Sequence, residues 1–280
     1  MAKKPEIEVP DDRLTALLQK YNLSEDELKE VLRSNRRSPS RKQKLSLATD
    51  HVKYGYFADP HIGHEAFKPD LWELMCERFR QEHLEFIVDA GDHLEGMSGR
   101  DGHVFELTKL GFQRQMEYAV ELYGQLPAPV FGIDGNHDDW YVRKGNCGVI
   151  VGEELQRRLP DRYFHLGQGE GDIEIAKGVS IKLVHPNDGT AYAVSYKLQK
   201  LIESFTGGEK PNILHEGHYH KAMYMFNRNI HAFECGTLCG QTPFMRGKKI
   251  PAHMGFGIVD VYLEKRGVNR LVMEFVPYYE

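Results

Sequence analysis

Cysteine is scarce. Cys76, Cys147, Cys235 and Cys239 are four in 280 residues, too few to staple a chain of this length, so a disulfide-framed secreted fold is excluded and reduced thiols are expected. Cys235 and Cys239 have no second Cys or His pair at a zinc-binding distance and are read as packing residues. No run of eighteen apolar residues occurs, so no membrane-spanning helix is expected. The opening Met-Ala-Lys-Lys-Pro-Glu-Ile-Glu has no apolar signal region, and a cytoplasmic location is the resulting expectation. Basic excess is missing too: net charge is −5 with His neutral, so affinity for nucleic acid must come from local patches. Hydrophobic residues at 41% and charged residues at 28% are the balance of a globular chain able to bury a full core.

Three regions follow from the patterning. Residues 1–34 read as a two-helix unit, with Leu14, Leu17 and Leu18 on one helical face and Leu28, Val31 and Leu32 on the next. Ser24 and Glu27 fit a capping box between them. The pair resembles a helix-turn-helix, yet its second helix opens Glu25-Asp26-Glu27, which suits the helix dipole and repels phosphate. DNA reading and a docking or dimerisation module, with a homodimer as one arrangement, both stay open. Residues 35–50 read as a basic linker: Arg33, Arg36, Arg37, Arg41, Lys42 and Lys44 run without an acid and are broken by Ser38-Pro39-Ser40. It is either a solvated tether or a phosphate-contacting arm.

Residues 51–280 read as one α/β domain. Strands are predicted at 52–58, 86–90 and 130–133, with helices at 69–83 and 105–125. Short strands follow at 172–176, 180–185, 212–215, 222–226, 230–233, 256–262 and 271–276, interrupted by a helix at 195–204.

The chemistry sits where these strands end. Asp59-Pro60-His61 follows the first, Gly91-Asp92-His93 the second, and Gly135-Asn136-His137-Asp138 the third. His185 ends the strand from 180, and Gly217-His218-Tyr219-His220 comes just after the one from 212. Open α/β sheets bind ligands beyond the carboxyl ends of their strands. Imidazole, carboxylate and amide oxygen, with no thiolate, suit borderline-to-hard divalent metals.

In motif identity and order the chain resembles the calcineurin-like metallophosphoesterase superfamily, over roughly residue 52 to the C-terminus. The resemblance implies a four-layer α-β-β-α sandwich of two mixed sheets and a binuclear metal centre. It assigns Asp59, His61 and His220 to one ion and Asn136, His185 and His218 to the other, with Asp92 bridging. Manganese is the first expectation, with iron, zinc or nickel as alternatives. Two such ions hold a hydroxide between them and stabilise an in-line displacement at phosphorus. His137 is the candidate for protonating the leaving oxygen. Glu95 falls where the Ser/Thr protein phosphatases of this superfamily carry the carboxylate partner of that His.

The same phosphatases follow that carboxylate with Arg, whereas this chain reads Glu95-Gly96-Met97. Asp-x-His followed by Ile62-Gly63 is more similar to the phosphodiesterases and DNA-repair nucleases of the superfamily, although Pro60 departs from their usual Leu. The run from Gly189 to Lys200, with Gln241-Thr242-Pro243-Phe244, resembles phage and prophage members. Trp140, Tyr141, Arg143, Lys144, Tyr192, Tyr196, Lys197, Lys200, Tyr219 and Lys221 flank the motifs; aromatic faces stack bases and cations hold phosphates. The expected activity is therefore phosphodiester or nuclease chemistry on nucleic acid. The alternative is a nucleotide or small-molecule phosphoesterase. A scaffold that had lost catalysis should lack ligands, and none is missing.

Overall fold

The computed structural model describes residue 24 and residues 41–45, 50–143, 147–264 and 267–279. The expected two-helix unit over 1–34, Ser24 aside, and most of the expected linker lie outside the described residues. The end of that linker is a correction. Lys42–Lys44 form strand β1, parallel to β6 (Glu170–Ala176). Lys42 Nζ sits 2.8 Å from Glu174, so an acidic edge strand recruits the basic segment.

The remaining strands are β2 (His51–Phe57), β3 (Phe86–Asp89), β4 (Val130–Asp134), β5 (Tyr163–Gln168), β7 (Val179–Val184), β8 (Ile213–Glu216), β9 (Ala222–Asn227), β10 (Ile230–Cys235), β11 (Gly255–Glu264) and β12 (Gly267–Pro277). One six-stranded sheet runs β12-β11-β2-β3-β4-β5 and the other β1-β6-β7-β8-β10-β9. Both are mixed: β2 to β5 are parallel while β11 and β12 are antiparallel to their neighbours.

Side-chain alternation decides the layers. On β2, Val52, Tyr54 and Tyr56 face the core between the sheets, whereas Phe57 joins the helix side. Helix α1 (Pro69–Glu82) starts with Pro in its first turn, where the missing N–H costs nothing. It buries Leu71, Trp72, Met75, Cys76 and Phe79. Helix α2 (Phe112–Tyr123) packs beside it through Met116 and Ala119. Short helices α3 (Trp140–Arg143) and α4 (Val151–Arg158) follow. On the far side, α5 (Tyr196–Ser204) lays Leu198 and Ile202 against Leu214, Ile230 and Ala232 of the second sheet. The result is the α-β-β-α sandwich. A last short helix, α6 (Pro243–Lys248), is capped by the Thr242 hydroxyl. No helix among the described residues is long and apolar enough to cross a membrane.

Two expectations need revision. The helix predicted over 105–125 is split: a 3-10 turn spans His103–Glu106, and α2 begins only at Phe112. Gly111, with φ 81°, occupies the left-handed region that ends any continuous α-helix. Strand β5 and helix α4 were not expected. Only Val151, Gly152 and Leu155 of α4 are buried, too short a stripe to register as a periodic face.

The core between the sheets holds one buried base. His215, fully buried, stacks on Phe233 at 4.8 Å and shares a 2.8 Å hydrogen bond between its Nε2 and the Tyr54 hydroxyl. Burial pushes its pKa down from 6.5 to about 3. Between those values the unfolded chain binds a proton that the folded chain refuses, so stability falls as pH falls. Relative to a His215→Gln variant, the wild type should lose about 2 kcal/mol more between pH 7 and pH 5, at 1.36 kcal/mol per unit below about 6.5. Urea midpoints at the two pH values measure the difference, and equal slopes would contradict it.

Candidate metal centre

All five motifs emerge at carboxyl ends of strands. Asp59 and His61 follow β2, Asp92 follows β3, Asn136 and His137 follow β4, His185 follows β7, and His218 and His220 follow β8. The loops turn abruptly. Asp59, His61, Asp92, His218 and His220 all have φ between 49° and 83°. A non-glycine residue rarely adopts this left-handed conformation, and it persists only where surrounding contacts impose it.

Hydrogen bonds between the loops impose it here. The Asp138 carboxylate accepts from the backbone N–H of His93 (3.1 Å), Leu94 (3.0 Å) and Gly135 (2.9 Å), tying the second motif loop to the third. Asp92 Oδ1 accepts from the His137 N–H at 2.8 Å. Gly135 is required because a Cβ there would collide with the Asp92 carboxylate and backbone nitrogen. Asp59 accepts the His218 N–H through both oxygens, at 3.1 and 2.9 Å.

Two donor groups result. Asp59, His61 and His220 bring one atom each within 4.8 Å of one another, as do Asp92, His185 and His218. His61 Nε2 and His220 Nε2 are 3.0 Å apart. Asp59 Oδ1 is 3.4 Å from His220 Nε2, and Asn136 Oδ1 is 3.2 Å from His185 Nε2. Donor atoms held about 2.0–2.1 Å from one ion at 90–110° lie about 2.8–3.4 Å apart, so these three spacings fit shared ligation, while Asp59 Oδ1 stands further from His61 Nε2, at 3.9 Å. Asp92 Oδ2 lies 3.7 Å from His61 Nε2 and 3.3 Å from His185 Nε2, between the groups. His185 Nδ1 donates to the Ala90 carbonyl and His218 Nε2 to that of Asp188, both at 2.7 Å. Each ring thereby keeps its other nitrogen for a metal.

The charges are arranged to match. Burial opposes ionisation of Asp59 and Asp92, but the His220 and His185 imidazoles outweigh it and hold both carboxyls below the ordinary range. Burial keeps the His61 pKa low and that of His218 at about 4, leaving neutral rings. His137 goes the other way: burial opposes its cation, yet Glu95 and Asp92 raise it to about 9. Glu95, 4% exposed, is a hub rather than a surface residue. Its Oε2 lies 2.8 Å from His61 Nδ1 and 3.3 Å from His137 Nδ1, and its Oε1 lies 2.6 Å from His103 Nε2. His137 Nδ1 also reaches the Glu95 carbonyl at 3.0 Å, and its ring stacks on Trp140 at 3.9 Å. His61, Asp92 and His137 form a further donor group, so His137 stands within ligand reach as well.

His103 was not singled out from the sequence; it lies on the 3-10 turn, outside every motif. His93, also unassigned, is fully buried among Asp89, Asp134 and Asp138. Its Nδ1 is 2.8 Å from Asp89 and its Nε2 is 2.8 Å from the Tyr163 hydroxyl. Burial opposes its charge, but Asp89 and Asp138 raise the pKa to about 10, which makes an ionic staple under the Asp92 loop.

Several flanking residues expected to meet a substrate are committed elsewhere. Tyr141 is core, its hydroxyl donating to Gln115 at 2.9 Å. Arg143 pairs with Asp139 and Lys197 with Asp188; the Tyr219 hydroxyl donates to Asp188, and buried Lys221 donates to the Ala191 carbonyl. Tyr192 and Tyr196 are exposed, and Lys144 lies outside the described residues. A cavity of about 720 Å³ opens over the metal groups, with Arg100, Trp140, Phe244 and Lys248 in its wall.

Two six-stranded mixed sheets, with parallel strands presenting these ligand loops on one rim, decide the fold. This is the calcineurin-like metallophosphoesterase fold. No family model matches the chain. It is distantly homologous to the DNA polymerase II small subunit. The Halobacterium salinarum protein is 24% identical over 242 residues, covering 73% of this chain and 47% of its own length. The Archaeoglobus fulgidus protein is 25% identical over 260 residues, covering 77% and 52%. The chain thus spans about half the length of the curated relatives it matches. Similar solved structures include an archaeal phosphodiesterase (TM-score 0.48, 15% identity, 80% of this chain and 100% of that one). Another is Yfce, a phosphoesterase from E. coli (0.44, 16%, 79% and 98%). A third is Vacuolar Protein Sorting 29 from Cryptosporidium parvum (0.44, 14%, 81% and 99%).

In this metallophosphoesterase fold the Asp138 staple should be felt at the ligands. Asp138→Ala strands three buried N–H groups at roughly 1–3 kcal/mol each and should weaken divalent-metal binding about 10- to 100-fold. Calorimetric titration with manganese and a thermal melt check both effects. Unaltered affinity would show that the loops hold their register without it.

Proposed function

We propose that the protein is a binuclear-metal-dependent phosphoester hydrolase acting on nucleic acid as a phosphodiesterase. The observation that supports this most is Asp92 Oδ2 between the two imidazole groups, 3.7 Å from His61 and 3.3 Å from His185. On this reading Asp59, His61 and His220 hold one cation, Asn136, His185 and His218 hold the second, and Asp92 serves both. The ions, manganese first among manganese, iron, zinc and nickel, supply Lewis-acid charge at phosphorus and an activated water.

The chain's own side chains do the rest. Anchored at Nδ1 by Glu95, His137 keeps Nε2 for the cavity side and holds a proton for the leaving oxygen. Trp140 braces that ring by stacking. Lys248 brings positive charge to the wall, Arg100 stands there paired with Glu106, and Phe244 and Trp140 bring aromatic groups, a mixture of the kind that binds a single strand without reading its sequence. The polymerase-subunit relatives supply a nucleic-acid context for the same reading. A nucleotide or small-molecule phosphoesterase is the second reading; the cavity volume of about 720 Å³ favours it, being in the range of small-ligand pockets.

Single-stranded and duplex DNA, RNA, cyclic nucleotides, phosphomonoesters and a chromogenic diester, each with manganese, separate the two. The expected result is cleavage of the polynucleotides and the diester. Activity confined to monoesters or cyclic nucleotides would remove the nucleic-acid reading. His137→Asn should cut turnover roughly 10²-fold while metal stoichiometry stays at two. Wild-type turnover in that variant would remove the proton-donor role.

A further inference from the structure

The Glu95 carboxylate carries more contacts than one His partner explains. It is buried beside Asp92 and within reach of three imidazoles, in surroundings where each unmatched carboxylate oxygen is costly. Hydrogen placement on the rings can be worked out from atoms whose hydrogens are fixed. The Ser98 backbone N–H points at His103 Nδ1, 3.4 Å away, so this nitrogen accepts. A neutral imidazole whose Nδ1 accepts has its hydrogen on Nε2, and His103 Nε2 therefore donates to Glu95 Oε1 at 2.6 Å. With Oε1 taken, Oε2 is left for His61 Nδ1 at 2.8 Å, while His137 Nδ1 donates to the Glu95 backbone carbonyl at 3.0 Å and lies 3.3 Å from Oε2.

We propose that His103 is a positioning residue that locks Glu95 through Oε1, so that Oε2 holds His61 in the Nδ1–H form with its Nε2 available to the metal side. This rests on the metal-centre reading above. The lock matters because His61 Nε2 and His220 Nε2 face each other at 3.0 Å. If His61 switched its hydrogen to Nε2, it would donate to His220 and remove two ligand nitrogens from one site. Glu95 prevents the switch only while its carboxylate keeps its orientation, and His103 supplies the hydrogen bond to Oε1. His103 is itself 3% exposed and its ring meets Trp140 edge-on at 5.9 Å, so its own orientation is fixed by packing.

The test uses the full-length protein and begins with the metal-free wild type. Long-range proton–nitrogen spectra of the imidazoles should show His103 as the Nε2–H form and His61 as the Nδ1–H form. His103 carrying its hydrogen on Nδ1 would overturn the proposal without any variant. His103→Phe keeps the ring against Trp140 and removes the donor. It should give His61 a mixture of tautomers, weaken manganese binding about 10- to 100-fold, and lower kcat with little change in KM. His103→Gln, which places an amide donor near the same point, should return manganese affinity to within about threefold of wild type. Wild-type tautomers and affinity in His103→Phe, or a Gln variant as weak as Phe at equal thermal stability, would each overturn it. A wild type that binds no manganese yet shows the expected tautomers would instead sink the metal-centre reading and leave the hydrogen-bond order standing.

Discussion

The whole site depends on one carboxylate that touches neither of the two proposed cations. Asp138 gathers the N–H groups of His93, Leu94 and Gly135, and so sets the distance between the loop after β3 and the loop after β4. That distance decides where Asp92 lies, since its carboxylate packs onto Gly135 with no room for a Cβ. Asp92 in turn receives the His137 N–H. Five candidate ligand positions sit in left-handed backbone, a conformation that costs about 1–3 kcal/mol at each residue. Such a rim survives only because the parallel strands beneath are anchored in two extensive cores.

Electrostatics shape the same loops from below. Asp89, Asp134 and Asp138 surround His93, and burial alone would discharge its imidazole. Instead the carboxylates hold the His93 cation, while burial leads the causes that raise Asp138 to about 7. The lower layer thus contains its own counter-ion. The upper layer does not: Asp59, Asp92 and Glu95 face mainly imidazoles. Burial opposes the charge of His137 and His185 too, but Glu95 and Asp92 raise the first and Asp92 and Asp59 the second, whereas burial prevails at His61 and His218 and lowers both.

How far the sequence discloses this depends on the range of each signal. Asp59, Asp92 and Asn136 were legible because each follows an apolar strand within a few residues, and strand periodicity is local. His185 and His218 were legible for the same reason on β7 and β8. Glu95 was placed by resemblance alone, since one Glu on a loop has no periodic signature. His103 could not be found, because its value lies in a contact eight residues back across a turn that the sequence suggested was the start of a helix. Strand β5 was missed because His165 and Gln168 make it look polar, whereas His165 is buried against Asp134 at 3.2 Å. The basic stretch read as a tether because charge runs are usually solvated; its last residues instead meet the acidic side chains of β6, a partner about 130 residues away.

Composition around the motifs misled in an instructive way. Aromatic and cationic residues cluster after each ligand in the sequence, but many are turned inward to secure the loops that carry the ligands: Tyr141 on Gln115, Lys197 and Tyr219 on Asp188, Lys221 on the Ala191 carbonyl. Asp188 shows why. Its carboxylate takes Lys197 and Tyr219 while its carbonyl takes His218 Nε2, so cations that looked available for phosphate are instead fixing the orientation of a ligand imidazole. The rest of the cavity wall comes from segments remote from the motifs, Arg100 on the loop before the 3-10 turn and Phe244 with Lys248 on α6. Arg100 stands 5.5 Å over the Phe244 ring and pairs with Glu106 at 2.6 Å. The wall is therefore bound to the same turn that carries His103, so the cavity lining and a partner of Glu95 share one backbone support.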